Sequence, residues 1–323
     1  MQGLRAQTDS LIFTNSNFMV GDVKSMNRGV LVMETDYSDS DFKIKWDDIE
    51  EIYTQTSFLI TLSNGLRFNG RLSSIGEGET AILTDGGMRR EVKHEDVVFL
   101  KSVDETFSSR LYASVNVGFS FTRARNLRQS NLSVNLGYLA RRWSTDLYYS
   151  VVTSNQDATD PIRRGEGGMN FRYFLPRDWY AKATLNFFSS TEQKINLRTT
   201  TSLGIGKYII HTNKVYWGGG AGLNYNDEDF SSDALDRRSL EGYFGTELNM
   251  YDVGDFSLLS RAVAYPSFTE AGRWRFELAF DTKYELPLDF FVHLGFNLNY
   301  DNRPTEGAGG TDYAFLSGIG WEW

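Results

Sequence analysis

The stretch Leu111–Thr122, LYASVNVGFSFT, alternates without a break. Leu111, Ala113, Val115, Val117, Phe119 and Phe121 fall on one face. Tyr112, Ser114, Asn116, Gly118 and Ser120 fall on the other. Period-two alternation of this length describes a β-strand with one apolar and one polar side. It is also long enough, when tilted, to cross a bilayer. The pattern returns in NLSVNLGYLA (131–140), WRFELAFDTKY (274–284) and FVHLGFNLNY (291–300). Roughly 12 such segments of about 10–14 residues follow Arg110, the count and length of a small transmembrane barrel.

The connections alternate as well. ARRW (140–143), LPRDW (175–179), HTNK (211–214), YDVGDF (251–256) and ELPLD (285–289) are tight. RARNLRQS (123–130), SNQDATDPIRRGE (154–166), SSTEQK (189–194), NDEDFSSDALDRRS (226–239), PSFTEAGR (266–273) and DNRPTEGAGGTD (301–312) are long and polar. Short periplasmic turns facing long outer loops describe an outer-membrane barrel. The first connection is long, so the first strand is expected to run outward, leaving the N-terminal region and the C-terminus periplasmic. Trp143, Trp179 and Trp217 follow tight turns, and Trp321 and Trp323 end the chain. Five tryptophans thus map to one rim, as an interfacial girdle does. A soluble sandwich also alternates but gives no reason for that rim. Leu132, Leu136, Phe187, Leu223, Phe276, Phe280, Leu294 and Phe296 are expected to face lipid.

The C-terminal SGIGWEW (317–323) resembles the signal by which barrel-assembly machinery recognises its substrates. Gly318, Trp321 and Trp323 carry the likeness, and Leu316 departs from it. KIKWDDIEEI (43–52), FLITLSNGLRFNGRL (58–72) and the strands after them resemble the YdiY-like family of salt-induced outer-membrane proteins, of unknown function. The resemblance implies no catalytic residues.

Composition agrees. The 323 residues are 15% aromatic, with 30 Gly, 5 Pro and no Cys. That mixture suits sheets with glycine turns and excludes disulfides and thiolate metal sites. No run is apolar for the ~18 residues a membrane helix needs. The start, MQGLRAQTDS, has no apolar h-region, so an exported chain of this kind is expected to have lost its leader. The net charge is -9, and the N-terminal region is itself acidic, which argues against nucleic-acid binding.

Residues 1–103 read as a separate small SH3/Sm-like β domain, followed by the barrel at 104–323. Two related halves are visible, 21–52 and 64–100, closing on Asp48-Ile49 and Asp96-Val97. Trp46 and Ile49 are expected to correspond to Val92 and Glu95, or one step off. The fold class is therefore all-β.

On the polar phase of the barrel strands lie Arg172, Arg198, Glu241, Glu247, Arg261, Arg275, Glu277 and Asp281. Their signs nearly balance, so ion pairs that narrow or shut the lumen are expected rather than a single-sign filter. Of three histidines, His94 reads as a surface residue, His211 sits in a tight turn and His293 points into the lumen; none completes a nucleophile or acid–base set, and no enzyme is expected. The acidic run 227–236 reads as a solvated loop, since its spacing is not that of an EF-hand. No metal or cofactor is expected. The expected partners are outer-membrane lipid, the assembly machinery and a periplasmic or envelope protein. The function read from the residues is a structural or interaction protein with a periplasmic docking domain and a narrow or closed lumen. The alternative is a narrow small-solute or ion channel.

Overall fold

The structure, a computed structural model, describes residues 9–76, 78–103, 110–191, 195–230, 236–303 and 310–321. The strands fall into two antiparallel sheets.

The first sheet holds β1 (Asp9–Phe13), β2 (Phe18–Asn27), β3 (Val30–Glu34), β4 (Phe42–Lys45), β5 (Ile49–Tyr53), β6 (Phe58–Leu62), β7 (Arg67–Gly76), β8 (Glu79–Thr84), β9 (Arg89–Lys93) and β10 (Val97–Ser102). It is two copies of one five-strand unit. In each, the first strand pairs with the second and fifth, and the second, third and fourth form a meander. Each unit makes one 3-10 turn before its fifth strand, Trp46–Asp48 and His94–Asp96. The halves exchange edges symmetrically: β5 pairs with β7, and β10 with β2. This corrects the expected correspondence. Trp46 matches His94, and Ile49 matches Val97, two residues beyond Val92 and Glu95. The aligned Asp-Ile and Asp-Val pairs were the better guide, because the aspartate closes the 3-10 turn in both halves.

One core serves both halves. Leu11, Met26, Leu31, Trp46, Ile52, Phe58, Ile60, Leu72, Ile82 and Leu100 are all buried in it. The two 3-10 turns meet there. Trp46 and His94 stack with centroids 4.1 Å apart and planes 3° off parallel. The Trp46 indole N–H donates to the His94 carbonyl at 3.1 Å. His94 is therefore half-buried at the pseudo-symmetry axis and not the surface residue expected; its neighbours Glu95 and Asp96 made the position look solvated.

Burial holds the His94 imidazole below its ordinary pKa. The unfolded chain then binds that proton more tightly than the folded one, so stability is full above the ordinary value near 6.5 and falls as pH drops through it. Melting temperature is expected to fall between about pH 7.5 and about pH 5.5, and His94→Gln to flatten that slope. An unchanged slope in the variant would assign it to other groups.

The second sheet is a twelve-strand meander in chain order. Its strands are β11 (Leu111–Thr122), β12 (Leu127–Leu139), β13 (Trp143–Asn155), β14 (Ile162–Phe174), β15 (Trp179–Ser190), β16 (Ile195–His211), β17 (Val215–Phe230), β18 (Arg237–Val253), β19 (Phe256–Pro266), β20 (Trp274–Glu285), β21 (Phe290–Asp301) and β22 (Thr311–Trp321). It curls into a barrel, since residues from β13 through β22 line one common cavity. The apolar phase faces out: Leu203 is 60% exposed, Leu223 52% and Phe244 59%. Of the residues expected to face lipid, Leu136, Phe187 and Leu223 are exposed, and Leu132, Phe276, Phe280, Leu294 and Phe296 are half-buried among neighbours. Phe276 also borders the cavity.

The long connections are shorter than the polarity pattern implied. The first spans only 123–126, and β16, β17 and β18 run on for 17, 16 and 17 residues. Polar residues continue a ladder as well as apolar ones do, because pairing needs only the backbone. Residues 227–230 of the acidic run are therefore strand, with Asp227 paired to Arg238 and Glu228 to Arg198; residues 231–235 lie outside the described residues.

Among the described residues no ladder joins β22 back to β11. Both edge strands expose nearly every residue. In hydrocarbon each unpaired backbone group costs several kcal/mol, so the bilayer is expected to drive these edges together. The chain has no cysteine, which makes the test clean. Val117→Cys combined in turn with cysteines along β22 is expected to cross-link at one register in vesicles. Failure at every register would leave the edges apart.

The first sheet is seated on the tight-turn end of the barrel. The buried Asn213, in the β16–β17 turn, donates its side-chain N–H to the carbonyls of Val97 at 2.9 Å and Glu95 at 3.4 Å. Lys214 pairs with Asp47 at 2.6 Å. Gly65, at φ 79°, lies where a Cβ would sit 2.4 Å from the Asp178 backbone nitrogen, so only glycine fits this contact. Trp143, Trp179, Trp217 and Trp321 lie at the same end, while Trp274 begins β20 at the other; Trp323 lies outside the described residues.

Candidate lumen site

The barrel interior holds a cavity of about 920 Å³ toward the long-loop end. A second cavity, of about 540 Å³, lies between the barrel and the first sheet. Tyr216 and Glu247 border both.

Strand alternation places the polar residues. Every second residue of β14 to β20 turns inward, which brings Arg198, Glu241, Glu247, Arg261, Arg275 and Glu277 to the larger cavity and Arg172 to the smaller. Asp281 borders neither; it accepts from His293 at 2.6 Å. Glu241 is 1% exposed. Arg275 grips it in a fork, Nε to Oε1 at 3.1 Å and Nη2 to Oε2 at 2.5 Å. Asn224 and Asn226 donate to the same carboxylate at 3.2 Å each. Arg198 pairs with Glu228 on the adjacent strand at 2.5 Å. Glu247 lies opposite Arg261 in register and accepts from Asn249 at 2.6 Å. Glu277 accepts from the Tyr265 hydroxyl at 3.3 Å. The ion pairs join adjacent or next-neighbour strands and run along the wall.

A second cluster was missed from sequence. Arg237 donates to Glu270, Glu270 also accepts from Arg273 at 2.9 Å, and Arg273 reaches Asp301 at 2.5 Å. Its members flank three connections, and only the barrel's closing curvature gathers them. The sole hint was that 266–273 and 301–312 each mix acidic and basic residues.

Glycines in the wall are seats for tyrosine rings. A Cβ at Gly206 would lie 2.3 Å from the Tyr180 ring, and one at Gly204 would lie 2.0 Å from the Tyr243 hydroxyl. Tyr180, Tyr208 and Tyr216 pack together, with Tyr208 5.0 Å from Tyr180 and 4.9 Å from Tyr216. His211 packs on this cluster and bonds Asp178 at 3.1 Å. The cluster stands between the two cavities.

Gly318 and Trp321 sit on the last strand, the Trp321 indole donating to the Leu288 carbonyl at 3.1 Å. Among the described residues no group of three or more His, Cys, Asp or Glu is placed to hold a metal.

Residues 115–323 match the family described as "Protein of unknown function, DUF481". The chain belongs to that family. No curated protein matches it. Among solved structures it is similar to the NanC porin in a rhombohedral crystal form, at 13% identity and a TM-score of 0.38, over 65% of this chain and 100% of that one.

Proposed function

We propose that this protein is a narrow outer-membrane channel for small polar solutes, closed at rest by its own N-terminal domain. The observation that carries this reading is the arrangement of two polar chambers in series. The outer chamber is lined by amides, hydroxyls and balanced charge, the inner one is covered by the docked domain, and the tyrosine cluster stands between them. Paired carboxylates and guanidiniums along the wall hold water and neutral polar solutes without selecting strongly for one sign. The exposed apolar belt and tryptophan rim support membrane residence, and the domain at the tight-turn end then lies in the periplasm. About 12 strands also enclose a narrower lumen than the 16–18 of general porins.

The test locks the domain in place. Lys214 of the β16–β17 turn and Asp47 of the first sheet meet at 2.6 Å, both exposed, so cysteines at these two positions are placed for a short reducible bis-thiol cross-linker. Asp47→Cys with Lys214→Cys, in planar bilayers, is expected to conduct little when cross-linked and more when the link is reduced. Equal silence in both states would favour the second reading, a structural protein whose domain docks envelope partners. That reading draws support from Phe18 and Tyr37, 77% and 81% exposed on the domain surface.

A further inference from the structure

The inner chamber contains two arginines with donors to spare. Arg67 enters from the first sheet and lies over the Phe174 ring, its guanidinium carbon 3.9 Å from the centroid. Its Nε and Nη1 are buried and bond no atom of the described protein. Arg172 enters from β14; its Nη1 donates to the Tyr208 hydroxyl at 2.9 Å, and its buried Nε bonds nothing.

The carboxylates of the chamber are engaged elsewhere. Asp178 bonds His211 at 3.1 Å, Glu247 bonds Asn249 at 2.6 Å, and Asp146 accepts from the Tyr112 hydroxyl. Arg28 and Lys101 also line the chamber. Burial holds the Arg67 guanidinium down to about 10, and the nearby Arg172 charge pushes the same way. The Asp146 charge acts on Arg172, but among the described residues no carboxylate offsets Arg67, and a buried cation without a counter-charge is unfavourable. A planar fork pinned against an aromatic ring is preorganised for a carboxylate or phosphate oxygen pair.

We propose that the inner chamber binds a small free oxyanion, a carboxylate or phosphate, between Arg67 of the N-terminal domain and Arg172 of the barrel. One arginine comes from each body, so the anion bridges them and strengthens docking. The site does not depend on whether the barrel conducts.

The experiment is calorimetric titration of the full chain in detergent micelles, at fixed ionic strength, with inorganic phosphate, succinate and sodium chloride as separate probes. Phosphate or succinate is expected to bind saturably, and chloride not. Whichever of the two binds more tightly identifies the preferred anion chemistry. Arg67→Gln and Arg172→Gln are each expected to weaken binding roughly tenfold or more, the loss of charged hydrogen bonds. Arg67→Lys keeps the charge but loses the fork, and is expected to fall between. Arg89→Gln, at an exposed arginine of β9 outside both chambers, is expected to bind as the native chain does, which separates loss of the site from a general loss of positive charge. Heat from chloride matching that from phosphate, or native binding by both glutamine variants, overturns the proposal.

Discussion

Glu241→Ala is expected to destabilise the barrel by about 3 kcal/mol, the lower end of what breaking a buried ion pair costs. The carboxylate is 1% exposed and holds four hydrogen bonds, two from Arg275 and one each from Asn224 and Asn226. Removing it strands a guanidinium and two amides in the wall. The lower end applies because the Arg275 side chain keeps 27% exposure and some of its hydration. Replacing both partners, Glu241→Met with Arg275→Met, is expected to recover most of the loss, since no charge is then left alone. Equilibrium unfolding from vesicles measures both. A double variant as weak as the single one would mean that the asparagine contacts, not the ion pair, hold this part of the wall.

Leu223→Arg is expected to cost about 2–4 kcal/mol in a bilayer. Leu223 stands midway along β17, opposite Leu203 in register, and both side chains are more than half exposed. The same change at Ile209, 56% exposed but two residues from the end of β16, is expected to cost about 0–1 kcal/mol, because an arginine there reaches the interface. The contrast depends on hydrocarbon: in water an exposed leucine replaced by arginine changes little at either place. Equal costs at Leu223 and Ile209 would remove the membrane from the account of this sheet.

These predictions draw on different levels of information. The alternation of LYASVNVGFSFT and its successors determined strand number and the two faces, and it put on the polar phase the charges that line the cavities, along with Asp281, which borders neither. Side-chain direction in a strand has period two whatever the surroundings. The repeat in 1–103 was equally legible, because Asp48-Ile49 and Asp96-Val97 close equivalent turns.

Other features were decided only in three dimensions. The sequence places Glu241 and Arg275 on the same phase, but only the curl of the sheet makes them neighbours across an intervening strand. Likewise, Trp46 and His94 occupy equivalent positions in the two halves, and only the exchange of edges brings them into a stack. Strand ends were misjudged because polarity reports the apolar span while ladder hydrogen bonds continue past it. Nothing in the spacing of Arg67 and Arg172 foretells their meeting. They belong to separate sheets, and docking alone brings them to one chamber, where Gly65, Asn213 and Lys214 supply the fit and local periodicity carries no signal.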